Sequence, residues 1–146
     1  MAKDKAPMFV LRIVAIVSFL LSCNTAPEFD IEFYQKTTSI QFPKDYKVVA
    51  TTDNGEFLTI TILDIEKNTL KAFTDQNNFI PVNDESETNL MGLQFLDSNY
   101  HLLPDTKLML IKQVEKLQGK IGWTYLADTT TGRLYCEIDY PDFGGN

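Results

Sequence analysis

Trp123-Thr124-Tyr125-Leu126-Ala127-Asp128, then Thr129-Thr130-Thr131-Gly132, then Arg133-Leu134-Tyr135-Cys136-Glu137-Ile138 is the stretch whose reading decides the fold. Two β-rich runs flank a polar segment that ends in glycine, the pattern of an antiparallel hairpin. A loop over 129–132 sets Trp123, Tyr125 and Ala127 opposite Ile138, Cys136 and Leu134, which makes one face a continuous apolar surface. The other face then pairs Asp128 with Arg133 as an ion pair, Leu126 with Tyr135 as an exposed-looking apolar pair, and Thr124 with Glu137.

Upstream, Tyr46-Lys47-Val48-Val49-Ala50-Thr51-Thr52 and Phe57-Leu58-Thr59-Ile60-Thr61-Ile62-Leu63 enclose Asp53-Asn54-Gly55-Glu56. Asn-Gly between such runs is the strongest short hairpin signal, because both residues tolerate positive φ. A two-residue loop at Asn54-Gly55 pairs Val49 with Ile60 and Thr51 with Leu58, and pairs Ala50 with Thr59 and Val48 with Thr61. One side is then apolar and the other mixed, which predicts a sheet covered mainly on one face.

Asp64 is placed to cap a helix running to about Thr74, with Ile65, Leu70 and Phe73 as its buried stripe. Residues 77–89 are polar and read as a solvated loop. Thr106 to Leu117 fits two patterns. As a helix it has Asp105 as cap and Gly119 as stop; as a strand it has Leu108-Met109-Leu110-Ile111 followed by alternation. The strand reading is favoured, since Gly119-Lys120-Ile121-Gly122 then turns into the Trp123 strand and completes a meander. The sum is an α+β domain: an antiparallel sheet of about five strands, with one or two helices packed on the face bearing Val49, Leu58, Ile60, Trp123, Tyr125, Leu134, Cys136 and Ile138.

At the other end, Lys3, Lys5 and Arg12 precede the uncharged run Ile13-Val14-Ala15-Ile16-Val17-Ser18-Phe19-Leu20-Leu21. That is the order of a secretory signal, and the run is well short of the ~20 residues a membrane-spanning helix needs. It closes in Leu20-Leu21-Ser22-Cys23, which resembles the lipobox of bacterial lipoproteins. The resemblance implies that residues 1–22 are removed and that Cys23 becomes the acylated first residue, carrying palmitate-type chains into the bilayer. At about 0.8 kcal/mol per buried methylene, more than one chain gives stable anchoring. Residues 23–33 read as the lipidated cysteine and a tether, and 34–146 as one globular domain. The Trp123–Asp128 and Leu134–Gly145 segments, with the lipobox, are also similar to short uncharacterised lipoproteins of Bacteroidetes-type bacteria, a likeness that implies no particular activity.

Beyond residue 22 the chain keeps 10 basic and 19 acidic residues, a formal net charge of −9. Such a field repels a phosphate backbone, so nucleic acid is an improbable partner. Lipidation takes Cys23 and leaves Cys136 without a partner, best read as a small buried hydrophobe. His101 is the single histidine, so no His/Cys zinc set forms. No serine lies in a Gly-x-Ser-x-Gly elbow and no glycine-rich loop suits a phosphate. Asn83-Asp84-Glu85-Ser86-Glu87 lacks the glycine and glutamate spacing of an EF-hand. No catalytic residue, metal site or cofactor is expected.

The resulting expectation is a lipid-anchored protein of the bacterial cell envelope, acting as a non-catalytic binding module for a basic or envelope-associated partner. An immunity-type inhibitor of an exported toxin is one such module. Weak candidates for partner contact are Asp84, Glu85 and Glu87 in the acidic run, and Tyr140, Asp142 and Phe143 after the last strand. The alternatives are a small envelope hydrolase using carboxylates such as Asp128, Glu137 and Asp139, and a structural envelope component.

Overall fold

The computed structural model describes residues 28–84, 88–100, 103 and 108–141. Cys23, Glu85, Glu87, His101, Asp142 and Phe143 lie outside the described residues. The architecture is α+β. Helix α1 (Ile31–Thr38) leads into strands β1 (Lys47–Asp53) and β2 (Leu58–Asp64), helix α2 (Lys67–Gln76) and a short β3 (Ile80–Pro81). Two 3₁₀ turns, Met91–Phe95 and Ser98–Tyr100, precede β4 (Met109–Val114), β5 (Gly122–Asp128) and β6 (Arg133–Asp139). All strands pair antiparallel in the order β1-β2-β6-β5-β4-β3, six among the described residues where about five were expected.

The β4-β5-β6 meander forms with the anticipated register, Trp123 opposite Ile138 and Tyr125 opposite Cys136. Within the stretch that fits two patterns, Met109–Val114 forms a strand, β4. Two details differ. Asp128 and Arg133 are cross-strand neighbours, yet Arg133 turns its Nε to Asp64 Oδ1 at 3.0 Å. The Asp128 carboxylate instead accepts from the backbone N–H of Thr130 (2.9 Å) and Thr131 (3.3 Å) and from both hydroxyls (2.6 and 2.7 Å). Local backbone donors two and three residues away reach a carboxylate before a long cationic side chain does. The Leu126–Tyr135 pair is buried and not exposed.

The first hairpin departs from its expected register. Asn54 does not form a two-residue turn with Gly55; its Oδ1 accepts from Glu56 N, Phe57 N and Leu58 N at 2.8 to 3.1 Å. This side chain organises a longer loop over 54–57, and Thr51 pairs with Thr61 in place of Leu58. A further irregularity at Val49 shifts the pairing between Val48 and Ala50. A register slip by an odd number of residues exchanges the faces. The β2–β6 pairing sets Thr59, Thr61 and Leu63 opposite Ile138, Cys136 and Leu134, so they lie with Trp123 and Tyr125 under the helices, while Ile60 and Ile62 join Leu126 and Tyr135 on the opposite side. Val49 packs with that second cluster too. Leu58, in alternation with Ile60, faces the same way.

Both faces are covered, which corrects the one-sided expectation. On the first, α1 begins at Ile31, within the last residues of the expected tether: Asp30 caps it by accepting from Phe33 N at 2.9 Å, and Ser39 ends it at φ 60°. Phe29, Ile31 and Phe33 all pack against the core, so the folded unit includes them. The hydroxyl of Tyr34 lies 3.2 Å from both Thr59 Oγ1 and Thr61 Oγ1, and with the bonds of Thr61 to Thr51 Oγ1 (2.7 Å) and of Thr59 to Thr52 O (3.1 Å) it satisfies two threonines buried in β2. Tyr125 donates to Thr38 Oγ1 at 3.3 Å, a second polar tie to α1.

Helix α2 starts at Lys67 with Glu66 as cap, later than Asp64 suggested. The cause is Ile65, whose N–H donates to Gly132 O at 2.8 Å and so prolongs the β2–β6 ladder. Gly132 has φ +87°, and a Cβ there would stand 2.4 Å from Ile65 O, so only glycine suits the position. The expected stripe of Ile65, Leu70 and Phe73 is buried. The polar stretch 77–89 holds β3 and the half-buried Phe79, stacked obliquely on Phe73.

The second face is closed by residues of 88–100 without a regular helix: Leu90, Leu93, Leu96 and Tyr100 cover Ile60, Ile62, Met109, Ile111 and Leu126. Glu137 fastens this cover. Its Oε2 accepts from Gly92 N at 2.6 Å and its Oε1 from Met91 N at 3.3 Å. A Cβ on Gly92 would sit 2.7 Å from Ile60 Cβ and 2.9 Å from Glu137 Oε2, so the backbone reaches the sheet only without a side chain.

Candidate functional site

The residues singled out after the last strand lead to a cleft at one corner of the sheet. Tyr140 continues β6, anchored by its N–H to Phe57 O at 2.7 Å. Its hydroxyl donates to Asp53 Oδ2 at 2.5 Å, and its ring meets Phe33 edge to face at 6.1 Å between centroids. Burial, and then the acceptor carboxylate of Asp53, push the Tyr140 phenol well above its ordinary range, so it stays a donor at any physiological pH. Around this pair Glu28, Asp30, Phe33, Tyr34, Thr51 and Thr59 complete a cavity of about 210 Å³.

Three carboxylates therefore border three aromatic rings. Asp30 is committed through one oxygen to the α1 cap, Asp53 accepts through one oxygen from Gly55 N (2.6 Å) and through the other from Tyr140, and Glu28 is exposed. Among the described residues no lysine or arginine lines the cavity. The arrangement suits a cation with an apolar stem, such as a lysine or arginine side chain, whose methylenes lie against aromatic surface and whose head meets carboxylates.

Of the described residues anticipated as partner contacts, only Tyr140 is here. Asp84 is exposed just beyond β3, three strand spacings from β6 and so about 14 Å away across the sheet. These two do not share a patch. Glu28, Asp30, Phe33 and Asp53 escaped the reading of the sequence. Asp30, followed three positions later by a residue it caps, carried a findable signal; the approach of Asp53 to Tyr140 spans 87 positions and carried none.

Two of the carboxylates considered for hydrolysis, Asp128 and Glu137, have structural occupations. Asp128 is 2% exposed; burial opposes its ionisation, and the four hydrogen bonds from Thr130 and Thr131 outweigh that, holding the carboxyl below its usual range. Glu137 is 3% exposed beneath the 3₁₀ turn, and burial raises its carboxyl to about 7. Glu137 lies four positions along β6 from Arg133, the partner of Asp128, which separates the two acids by about 13 Å. That exceeds the spacing at which paired carboxylates flank a glycosidic bond. Asp139 ends the same face of β6, two positions beyond Glu137.

Cys136 is fully buried, and burial pushes its thiol well above the ordinary value, which leaves an inert core side chain. Among the described residues no cluster of histidine, cysteine or carboxylate side chains has the geometry to hold a metal ion, and no helix is long and apolar enough to cross a membrane. No protein-family model, curated protein or solved structure matches the chain.

Proposed function

We propose that this chain is a lipid-anchored protein of the bacterial envelope, held by an acylated Cys23, that binds a basic partner without catalysing a reaction. The observation that carries the reading is the cleft of Glu28, Asp30 and Asp53 around the rings of Phe33 and Tyr140, open and, among the described residues, without a basic residue in its lining. It lies where the chain departs towards Cys23. Glu28 is five residues from that cysteine, at most about 18 Å of extended chain, so the cleft is held close to the bilayer surface. A module of formal charge −9 beyond the signal attracts cationic partners over a Debye length and orients them before contact.

Two measurements test this. Mass spectrometry of the membrane-extracted protein is expected to find Cys23 acylated at the N-terminus, and an unmodified thiol with Met1 retained overturns the anchoring. Low-salt capture from envelope extract is expected to retain a basic protein that the double variant Asp30→Asn, Asp53→Asn releases. Asparagine keeps both the helix cap and an acceptor for Tyr140. Equal capture by the variant removes the cleft from the proposal.

A further inference from the structure

The cleft borders the open edge of the sheet. β1 is an outermost strand of seven residues, and among the described residues no strand pairs with its outer side. The hydrogen-bonding phase along it can be read from its ends. Asn54 N donates to Leu58 O at 3.2 Å, and Tyr140 N donates to Phe57 O on the far side of β2. Antiparallel pairs alternate between bonded and non-bonded. Ala50 and Thr52 therefore bond to β2 through Ile62 and Ile60, while Thr51 and Asp53 direct their N–H and C=O outward.

The other edge of the sheet is protected. β3 has two residues, one of them Pro81, which has no N–H to offer. On β1, protection is confined to the start, where Lys47 and the irregularity at Val49 stand; Ala50 to Asp53 holds no proline, lysine or bulge. Its flanks differ in chemistry. On the helix side, next to Thr51 and Asp53, is the acidic cleft. On the other side, along Val48 to Thr52, runs a groove of about 510 Å³ walled by Phe95, Leu96, Asp97 and Tyr100. Val48 and Phe95 are 38% and 46% exposed there.

We infer that an extended segment of the basic partner adds to β1 as a further strand, with its basic side chains over the Glu28, Asp30 and Asp53 cleft and the intervening apolar ones against Phe95 and Tyr100. Residues directly opposite in a sheet share a face, so a strand beside Thr51 and Asp53 presents every second side chain to the carboxylates and the others to the groove. The recognised chemistry is an alternation of cationic and apolar residues in extended conformation. This inference rests on the proposed binding function and assigns its partner.

The test uses the full chain in nanodiscs of neutral phosphatidylcholine and a capped peptide of alternating lysine and valine. Hydrogen–deuterium exchange is expected to slow at Thr51 and Asp53 when the peptide is added. A block-ordered peptide of the same composition, and one N-methylated at alternate residues, are expected to bind at least about tenfold more weakly, since each loses backbone pairing or face matching. Thr51→Pro removes an outward N–H and no backbone hydrogen bond to β2, although it also deletes the Thr51 Oγ1–Thr61 Oγ1 hydrogen bond of 2.7 Å, and is expected to abolish the exchange effect at Asp53. If that variant does not fold, the N-methylated peptide decides, because it leaves the protein unaltered. Equal binding of all three peptides, weakened only by Asp30→Asn with Asp53→Asn, overturns strand addition while the acidic cleft stands as a binding surface. Absence of any peptide binding overturns strand addition as well, and the capture experiment then judges the broader function separately. Protection of β1 that grows with protein concentration without peptide assigns the edge to a second copy and also overturns the inference.

Discussion

The two faces of the sheet are closed by different means. The helix side is dominated by rings: Tyr34, Phe42, Phe73, Trp123 and Tyr125 meet at centroid distances of 5.2 to 6.5 Å, and two helices hold them there. Opposite it, branched and straight aliphatic chains predominate, under a cover of short turns fastened by a buried acid. A regular helix such as α2 announces itself through its periodic stripe. An irregular cover is revealed only by the strand residues it buries, so a half-polar strand reading such as that of β2 hides it.

The comparison is sharpest in a set of melts. Tyr125→Ala removes the centre of the aromatic face and is expected to cost about 3–5 kcal/mol, read as a lowered urea midpoint. On the opposite face, Ile60→Ala is expected to cost ~2–5 kcal/mol, matching Leu70→Ala under α2. An unchanged midpoint for Ile60→Ala breaks the claim that the 3₁₀ cover forms a second core.

Acidity separates the faces further. Burial, with a smaller push from Asp139, raises the Glu137 carboxyl from 4.5 to about 7 against the two backbone donors of the cover. A raised carboxyl binds its proton more tightly in the folded state. Stability is then fullest below the unfolded value of 4.5 and falls as pH rises to about 7, by about 3 kcal/mol if this group acts alone. Glu137→Gln keeps a hydrogen-bond acceptor for the cover and is expected to flatten that slope in melts between pH 4.5 and 8. A wild-type slope of equal size in the variant assigns the effect to other groups.

Gly92→Ala drives a methyl into Ile60 and the Glu137 carboxylate and is expected to destabilise by ~1–3 kcal/mol, with faster exchange of the amides at 91–96. Smallest is Tyr34→Phe on the helix side, about 1 kcal/mol for a hydroxyl shared with Thr59 and Thr61. A near-neutral result there reduces the polar tie of α1 to packing alone.

What the amino-acid order alone determined is the part whose contacts are local. The β4-β5-β6 meander follows from alternation around a short turn, and the buried stripe of α2 from its helical spacing. Cys136 as a core side chain follows from its place in that alternation. The rest awaited the tertiary structure because its deciding interactions are side-chain to backbone or long-range. Asn54 captures three N–H groups and shifts the first hairpin; Tyr34, with Thr51 and Thr52 O of β1, satisfies the buried Thr59 and Thr61; Glu137 fastens a cover 45 residues away in the chain. The cleft likewise exists only once Asp30 at the start of α1, Asp53 at the end of β1 and Tyr140 after β6 are brought to one corner, and no local pattern encodes an approach between residues so distant in the chain.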